Sequence, residues 1–415
     1  MKTRSKFLAS SALALMLSAG GALAEDIKMG AIAVLEGAFT VLGEDSMRGV
    51  EMAMEEFGYS AGGKSIELIK QSSDASPDSA VRGARKLVEQ DGVQILVGPL
   101  SGSEGIAIKD YSKTQPDVTF LNGVSGAQDT TLRDPSDNFF RFNTEGAQWM
   151  AGLGEYAYNE KGYRSMAVVA EDYSFPYTQV FGFLEPFCRL GGSAPQDARF
   201  YVPIGNKDYS SVIAALPDDV DAIYVALGGA DAVNFLTQYE QAGGDLPLVG
   251  GSITVDQTVL GSKGRVRDFV IGTPSAGPIS DTWEDERWQA FVAKYKEMFP
   301  DGFPSPSLFA HGYYINTKAA LLALDAVDGD LSDGGAAMRE VLASLEFETP
   351  TGMVSLDERR QAIGSIFLTE VTEDGDGNLV NKTISVTENV NQTLGVDYDK
   401  FLEYGAVSRE NPVCE

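Results

Sequence analysis

Apolar and polar positions along the chain follow two spacings that predict strands and helices in alternation. An apolar run from Ile27 to Leu35 predicts a buried strand. After it, Met47, Val50 and Met54 recur at three- and four-residue intervals, which is typical of the buried face of a helix. We therefore interpret these methionines as core residues.

The strand–helix alternation occurs in two series, one from 27 to 124 and one from 139 to 251. The second series includes a predicted helix near Glu145–Glu160 and a predicted strand at Met166–Glu171. Strands separated by helices of this length are typical of parallel sheets covered by helices on both faces. The pattern therefore predicts an α/β protein with two doubly wound, Rossmann-like lobes. The remaining predictions are a Pro- and Gly-rich linker at Pro274–Pro278, helices near 283–298, 308–327 and 335–345, and short strands after Met353.

The first 24 residues have the pattern of a secretory signal peptide. Lys2, Arg4 and Lys6 precede an apolar stretch, and Ala22-Leu23-Ala24 provides a small-x-small cleavage site. We expect a mature periplasmic protein that begins at Glu25. A membrane anchor is the alternative, but the apolar stretch is short for a spanning helix.

The charge balance is strongly acidic, and cleavage makes it more so. Loss of the three cations leaves 29 basic and 60 acidic residues, a net charge of −31. Nucleic acids and anionic lipids are bound by Lys/Arg clusters, so we expect neither as a partner. We interpret the charge as a solvated surface, which says nothing direct about a ligand.

The mature chain has two cysteines, Cys188 and Cys414, in a compartment that permits disulfides. Pairing them would fasten the C-terminus, which otherwise frays. Two free thiols are the alternative. Neither cysteine has a histidine nearby in the sequence, so we expect no metal site and no cofactor.

Residues for catalysis are sparse. His311 is the single histidine, and its place before an apolar helix favours a structural role. No Gly-x-Ser-x-Gly elbow and no phosphate-binding loop is present. The acidic stretch Asp374–Asn378 lacks the glycine and glutamate of a calcium loop, so we interpret it as a polar turn.

Two successive strands of the first series run into small, hydroxyl-rich loops, Ser101–Gly105 and Asn122–Gly126. Open α/β sheets bind ligands at the carboxyl ends of their strands. One such loop alone would be interpreted as a cap or turn. Two in one lobe favour a ligand site.

Several segments resemble the leucine/isoleucine/valine-binding type of periplasmic receptor that serves ABC importers. The resemblance covers 25–370 in order and is carried by these segments: Gly30-Ala31-Ile32, Ile95-Leu96-Val97-Gly98-Pro99, Ala167-Val168-Val169 to Asp172-Tyr173, Tyr209-Ser210-Ser211-Val212-Ile213 and Asp221-Ala222-Ile223-Tyr224. It implies two lobes that close on a ligand about three crossovers. The implied crossovers lie near 143–145, 273–276 and 352–355. The implied lobes are 25–144 with 275–352 (lobe I) and 145–274 with 353–415 (lobe II).

The resemblance also implies a ligand site. Lobe I would provide the ligand carboxylate's partners and the cleft mouth, and lobe II an aromatic wall and a partner for a ligand ammonium. The implied residues are Phe39, Ser101, Gly102, Ser103, Val124, Ser125 and Gly126 in lobe I, and Tyr173, Phe175, Asp231 and Ser252 in lobe II. Relatives that bind amino acids have an acid where this chain has the neutral Ser252. An unpaired buried ammonium is costly, so an α-amino acid is in doubt unless Asp231 replaces that acid.

We therefore expect a monomeric solute-binding protein that delivers a small organic ligand to a membrane permease. The expected ligands are an amino acid, an aromatic or aliphatic carboxylate, an amide or a urea-like molecule. A secreted amide or ester hydrolase is one alternative, although neither Ser101 nor Ser125 has a histidine to serve as its activating base. A ligand sensor is the other, and the sequence does not separate sensing from transport.

Overall fold

The computed structural model describes residues 26–262 and 269–415. The predicted signal peptide lies outside the described residues. In the described part, the strands form two sheets, and the chain passes from the first to the second after residue 140. We call the first sheet with its helices lobe I and the second sheet with its helices lobe II.

The sheet of lobe I has six strands in the spatial order β2-β3-β1-β4-β5-β6. All neighbours are parallel except β2 and β3. Strand β1 is flanked by β3 and β4, so the order reverses next to it and the loops there leave in opposite directions, which opens a crevice at the carboxyl ends. The strands are β1 (Ile27–Val34), β2 (Ser60–Ala61), β3 (Lys64–Ser73), β4 (Ile95–Val97), β5 (Thr119–Leu121) and β6 (Phe139–Phe140).

The sheet of lobe II has nine described strands in the order β12-β13-β14-β11-β10-β9-β7-β8, with β15 paired to β14. Strands β8, β7, β9, β10 and β11 run parallel, and β12 to β15 are antiparallel to their neighbours. The strands are β7 (Met166–Glu171), β8 (Arg199–Val202), β9 (Ala222–Ala226), β10 (Leu248–Gly250), β11 (Pro274–Gly277), β12 (Phe347–Thr349), β13 (Gly352–Leu356), β14 (Ala362–Glu373) and β15 (Leu379–Val390).

Helices cover both sheets. The helices are α1 (Thr40–Glu56), α2 (Pro77–Arg85), α3 (Gly102–Ser112), α4 (Gly146–Trp149), α5 (Leu153–Asn159), α6 (Ser174–Arg189), α7 (Ser210–Ala215), α8 (Gly229–Gln241), α9 (Gln257–Leu260), α10 (Glu286–Met298), α11 (Leu308–Ala326), α12 (Ala336–Ser344) and α13 (Tyr398–Leu402). Helices α10 and α11 pack on α1, and α6 packs on β7 and β9. No helix within 26–262 and 269–415 is long and apolar enough to cross a membrane.

The predicted fold class is confirmed, but three local predictions were wrong. Pro274–Pro278 is not a linker: Ser275 pairs with both Gly250 and Thr369, so the segment is a central strand. The helix predicted over 145–160 is two helices, interrupted where Gly152 has a φ of 84°. The last two strands are long rather than short: β14 and β15 have twelve residues each and form a hairpin around the acidic turn.

Sheet membership also refines the predicted lobe composition. Within 275–352, which the resemblance assigned to lobe I, helices α10 to α12 lie with the first sheet. Strands β11 and β12 lie in the second sheet. Each of the three connections between the lobes is therefore a short segment that joins a strand of one lobe to a helix of the other. The lobe boundaries implied by the resemblance stay a prediction.

Candidate functional site

The loop after β4 leads directly into α3 through Ser101. The Ser101 hydroxyl donates to the Ala75 carbonyl (3.0 Å) and accepts from the Glu104 amide (3.4 Å). In return the Glu104 carboxylate accepts from the Ser101 amide at 2.9 Å, which completes a capping box. The Ser101 side chain, predicted to bind the ligand, is thus engaged inside lobe I.

The first two amides of α3 are different. Within the described residues, neither Gly102 nor Ser103 donates its backbone N–H to a protein acceptor. Such amides at a helix start have no partner one turn earlier, and the helix dipole favours an anion there. Lobe I therefore offers backbone donors, rather than the Ser101 hydroxyl, for a carboxylate.

The loop after β5 contains Ser125, which is completely buried. Its hydroxyl donates to the Asn122 side chain at 2.7 Å, and the Asn122 amide donates to Asn143 at 2.8 Å. A Cβ on Gly105 would lie 2.0 Å from the Ser125 hydroxyl, so nothing larger than glycine fits there. The predicted site hydroxyl at 125 thus lies behind the cleft wall.

The wall of lobe II follows β7 and is aromatic. Phe175 is buried against two glycines of lobe I: a Cβ on Gly102 or on Gly126 would lie 2.8 Å from Phe175 atoms. The Phe175 ring also meets Trp149 edge-on, with centroids 5.4 Å apart. Because neither glycine has a side chain, the lobes can close on the Phe175 ring.

Tyr173 lies half-buried between the lobes. Its ring is 6.2 Å from that of Phe39 in lobe I and 6.3 Å from that of Phe175. Burial, with the nearby Glu171 carboxyl, raises the pKa of Tyr173 well above its ordinary value, so the phenol stays protonated. Rings from both lobes thus form one aromatic row across the cleft.

A small cavity of about 10 Å³ lies inside this row. A water molecule needs about this much space, so a ligand enters only when the lobes separate. Four predicted site residues line the cavity: Val124, Gly126, Tyr173 and Phe175. The sequence analysis missed the other lining residues, which are Leu42, Leu100, Trp149, Ile253 and Phe309.

Two further predicted residues lie at the lobe contact. The Ser103 hydroxyl is 3.0 Å from the Ser174 hydroxyl, which joins the start of α3 to the start of α6. The first loop also reaches lobe II: a Cβ on Gly229 would lie 2.9 Å from the Ala38 carbonyl. Phe39 therefore belongs to a closed interlobe contact, as the resemblance implied for the cleft mouth.

Ser252 and Asp231 do not line the cavity. The Ser252 hydroxyl accepts from the Gln179 side chain at 2.7 Å. Asp231 accepts from the Gly205 amide at 2.7 Å through one oxygen, and its other oxygen has no partner in the described structure. Burial raises the pKa of Asp231 to about 6. Ser252 is therefore neutral and occupied, whereas Asp231 has a free acceptor.

Glu171 is a second buried acid beside the wall, and the sequence analysis missed it. One carboxylate oxygen accepts from the Gly228 amide at 2.8 Å, and the other has no partner in the described structure. Burial raises its pKa well above the ordinary value, and the charge of Asp231 adds to this. An acid at the end of an otherwise apolar strand was the available signal.

The C-terminus is fastened to lobe II. Cys188, near the end of α6, is bonded to Cys414, with Cα atoms 5.5 Å apart. The predicted disulfide is therefore present. The Ala194 amide also donates to the Cys414 carbonyl at 3.0 Å, so the chain end lies against the body.

Comparison with known proteins assigns a family to this two-lobed arrangement. The family model described as periplasmic binding protein matches residues 26–376. The chain is 25% identical over 393 residues to Leu/Ile/Val-binding protein homolog 6 of Brucella melitensis biotype 1, across 92% of this chain and 97% of that protein.

Solved structures agree with this. An ABC transporter substrate-binding protein from Sphaerobacter thermophilus is 26% identical with a TM-score of 0.78, over 89% of this chain and 99% of that one. A solute-binding protein from Rhodopseudomonas palustris BisB5, in complex with 3,4-dihydroxybenzoic acid, shares the fold: 24% identity and a TM-score of 0.79, over 88% and 98% of the two chains.

The fold and the interlobe cleft define a ligand-binding protein of the ABC-transporter type. The chain belongs to the periplasmic binding protein family, as the resemblance implied. Members of this class capture a small ligand and deliver it to a membrane permease.

Proposed function

We propose that this protein captures a carboxylate with a flat apolar body, foremost an aromatic acid, for an ABC importer. The observation that carries the proposal is the row of rings that crosses the cleft and surrounds the cavity. Aromatic side chains contact a planar ring over a large area, in edge or offset geometry. Phe175 and Trp149 already meet in that way.

The backbone at the start of α3 supports the carboxylate part of the proposal. The backbone of Gly102 lies against Phe175, and the amides of Gly102 and Ser103 have no protein acceptor in the described structure. No charged side chain lines the cavity. A ligand carboxylate would therefore be held by helix amides and its ring by the aromatic wall.

Ser252 weakens the case for an aliphatic α-amino acid. Its hydroxyl is already bonded to Gln179 and carries no charge to pair with an ammonium. Structural neighbours have been solved with benzoate and with 4-hydroxybenzoate, and another neighbour is a leucine-binding protein. Both ligand types therefore occur on this fold, and the site residues favour the first for this chain.

A second candidate ligand is an amine or amino acid. The free oxygens of Glu171 and Asp231 favour it, because a buried carboxylate gains from a cationic partner. Neither acid lines the closed cavity, and Gly102 and Ser103 do not line it either, so the polar group of either candidate ligand must reach beyond the cavity lining. It is the alternative outcome of the experiment below.

We further infer that the protein is exported through a cleaved signal peptide at residues 1–24, works in the periplasm as a monomer and is not an enzyme. His311 supports the last point. Burial lowers its pKa to about 3, and its Nε2 lies 3.1 Å from the Thr351 hydroxyl. An enclosed imidazole with so low a pKa is a weak proton acceptor and a poor general base for a cleft serine.

The test is a thermal-shift screen of the mature protein with benzoate, 4-hydroxybenzoate, 3,4-dihydroxybenzoate, leucine, short amides and urea. A ligand that binds only the folded state raises the melting temperature. We expect the aromatic acids to raise it most. A response to leucine alone would contradict the aromatic proposal and direct attention to Glu171 and Asp231.

A further inference from the structure

Asp172 occupies a special place in the cleft loop. It directly follows β7 and directly precedes Tyr173, the first ring of the lobe II wall. Its amide donates to the Val202 carbonyl at 2.7 Å, so its backbone is fixed to the neighbouring strand β8. What its carboxylate binds therefore helps to determine how the loop leaves the sheet.

The Asp172 carboxylate accepts from two side chains. Arg409 binds both of its oxygens, with its Nε 2.8 Å from Oδ1, and the Tyr177 hydroxyl donates to Oδ1 as well. Partial burial opposes the charged form, yet these hydrogen bonds outweigh it and hold the pKa of Asp172 below its ordinary value. The two-pronged geometry constrains direction as well as distance.

Arg409 comes from the C-terminal tail, which we define as residues 403–415. The tail lies beyond the 26–376 segment that the family model matches. It is held by the disulfide at Cys414, by the Arg199 side chain donating to the Pro412 carbonyl at 2.8 Å, and by the Gln196 side chain donating to the Glu410 carbonyl at 2.9 Å. The guanidinium is thus presented from a fixed backbone.

We propose that Arg409 is a positioning residue of the binding cleft: through Asp172 it fixes the loop that carries Tyr173 and Phe175. The tail is then part of the binding apparatus of lobe II.

The effect is greatest when the lobes are apart. In the closed form Phe175 is also held by Gly102 and Gly126 of lobe I, and those contacts are lost on opening. The Asp172–Arg409 pair joins two segments of lobe II and does not depend on the contacts of Phe175 with lobe I. A wall that is already in place when the ligand arrives binds more tightly, because less ordering accompanies binding.

The inference rests on the proposed function, because it assigns Tyr173 and Phe175 to the ligand wall. Its test therefore has a readout that needs no ligand. Hydrogen exchange of amides 172–177 is measured in the ligand-free wild type and in Arg409→Gln, Arg409→Lys and Arg189→Gln. Arg189 is the matched control, because it also pairs with acids on the surface of lobe II.

We expect the largest increase in exchange at 172–177 in Arg409→Gln and no change in Arg189→Gln. Arg409→Lys should show a smaller increase, because lysine keeps the charge but cannot make the two-pronged contact. Affinity for 4-hydroxybenzoate and for leucine is then measured by calorimetry on the same proteins. The Arg409 side chain is 53% exposed and that of Asp172 is 21% exposed, so solvent screens the pair. Arg409→Gln should lower the affinity for whichever probe binds by about two- to fivefold.

Unchanged exchange at 172–177 in Arg409→Gln would overturn the positioning role. Altered exchange with unchanged probe affinity would also overturn it, because the loop would then not belong to the binding site. If wild type binds neither probe, the proposed ligand classes fail, and the exchange result still decides whether Arg409 fixes the loop.

Discussion

The two faces of the cleft are built in opposite ways. On lobe I, the hydroxyls of Ser101 and Ser125 donate to partners within the lobe, the Ala75 carbonyl and the Asn122 side chain, so the face presents glycines and backbone amides. On lobe II, the face presents large rings, and its loop is steadied by the tail through Asp172. A polar face held by hydrogen bonds within lobe I thus lies opposite an aromatic face whose loop is held by the C-terminal tail.

The two faces therefore depend on contacts in different parts of the molecule. The lobe I face can be complete before any ligand arrives, since the hydroxyls of Ser101 and Ser125 are bonded within the lobe. The lobe II face depends on contacts with the C-terminal tail and, when closed, with Gly102 and Gly126. Changes to lobe II support should therefore affect order and affinity together, whereas changes behind the lobe I face should affect mainly stability.

Removing the disulfide should have the largest effect. Cys188→Ser with Cys414→Ser releases the tail and should lower the free energy of unfolding by about 2–4 kcal/mol. Hydrogen exchange should rise at 172–177 and stay unchanged at 98–104. Chemical denaturation with exchange mass spectrometry measures both. Equal loosening of the two loops would refute the proposed asymmetry.

Replacing one of the two glycines that contact Phe175 should have the next largest effect. Gly126→Val places new methyl groups against the Phe175 ring and near the Gly146 amide, whose backbone cannot withdraw. Overpacking of this kind costs about 1–3 kcal/mol, and here it destabilises the closed state relative to the open state. Ligand affinity should fall at least about fivefold while the melting temperature changes little. Gly375→Val, in an open turn, is the control and should leave affinity intact.

Ser125→Ala tests the buried lobe I network. It leaves the Asn122 side-chain oxygen without its donor and should destabilise the protein by about 1–2 kcal/mol. Affinity should stay within a factor of two of wild type. The opposite pattern, weaker binding at full stability, would show that Ser125 contacts the ligand, as the sequence had suggested.

The last prediction concerns the pH dependence of stability. Burial raises the pKa of Glu104 to about 7, above its ordinary value near 4.5. A raised carboxyl pKa favours folding below about pH 4.5, and this contribution is lost as the pH rises through about 7. Glu104→Gln should flatten that part of the melting-temperature profile. An unchanged profile would mean that Glu104 ionises freely in the folded state.

The strand–helix order was predictable because each element has its own periodicity, and β7 was predicted with its observed bounds. The segment that begins at Pro274 was wrongly predicted as a linker, because composition does not reveal that the first residue of a strand tolerates proline. The long β14–β15 hairpin was missed because its outer face is polar, which resembles loops in sequence.

The site was predictable only in part. The family resemblance implied Val124, Gly126, Tyr173 and Phe175 as cleft residues, and the strand-end position of the Asn122–Gly126 loop supported the first two. Composition could not show that the Ser101 and Ser125 hydroxyls have internal partners. Glu171 and Phe309 enter through contacts between distant segments, which periodicity does not encode.

The most direct test of the proposed function is a calorimetric titration of wild type and Phe175→Ala with 4-hydroxybenzoate and with leucine. Loss of a buried phenyl ring from the wall should weaken 4-hydroxybenzoate about tenfold or more. We predict that wild type binds 4-hydroxybenzoate more tightly than leucine and that Phe175→Ala removes this preference. Tighter binding of leucine, or an unchanged preference in Phe175→Ala, would contradict the proposed aromatic cleft.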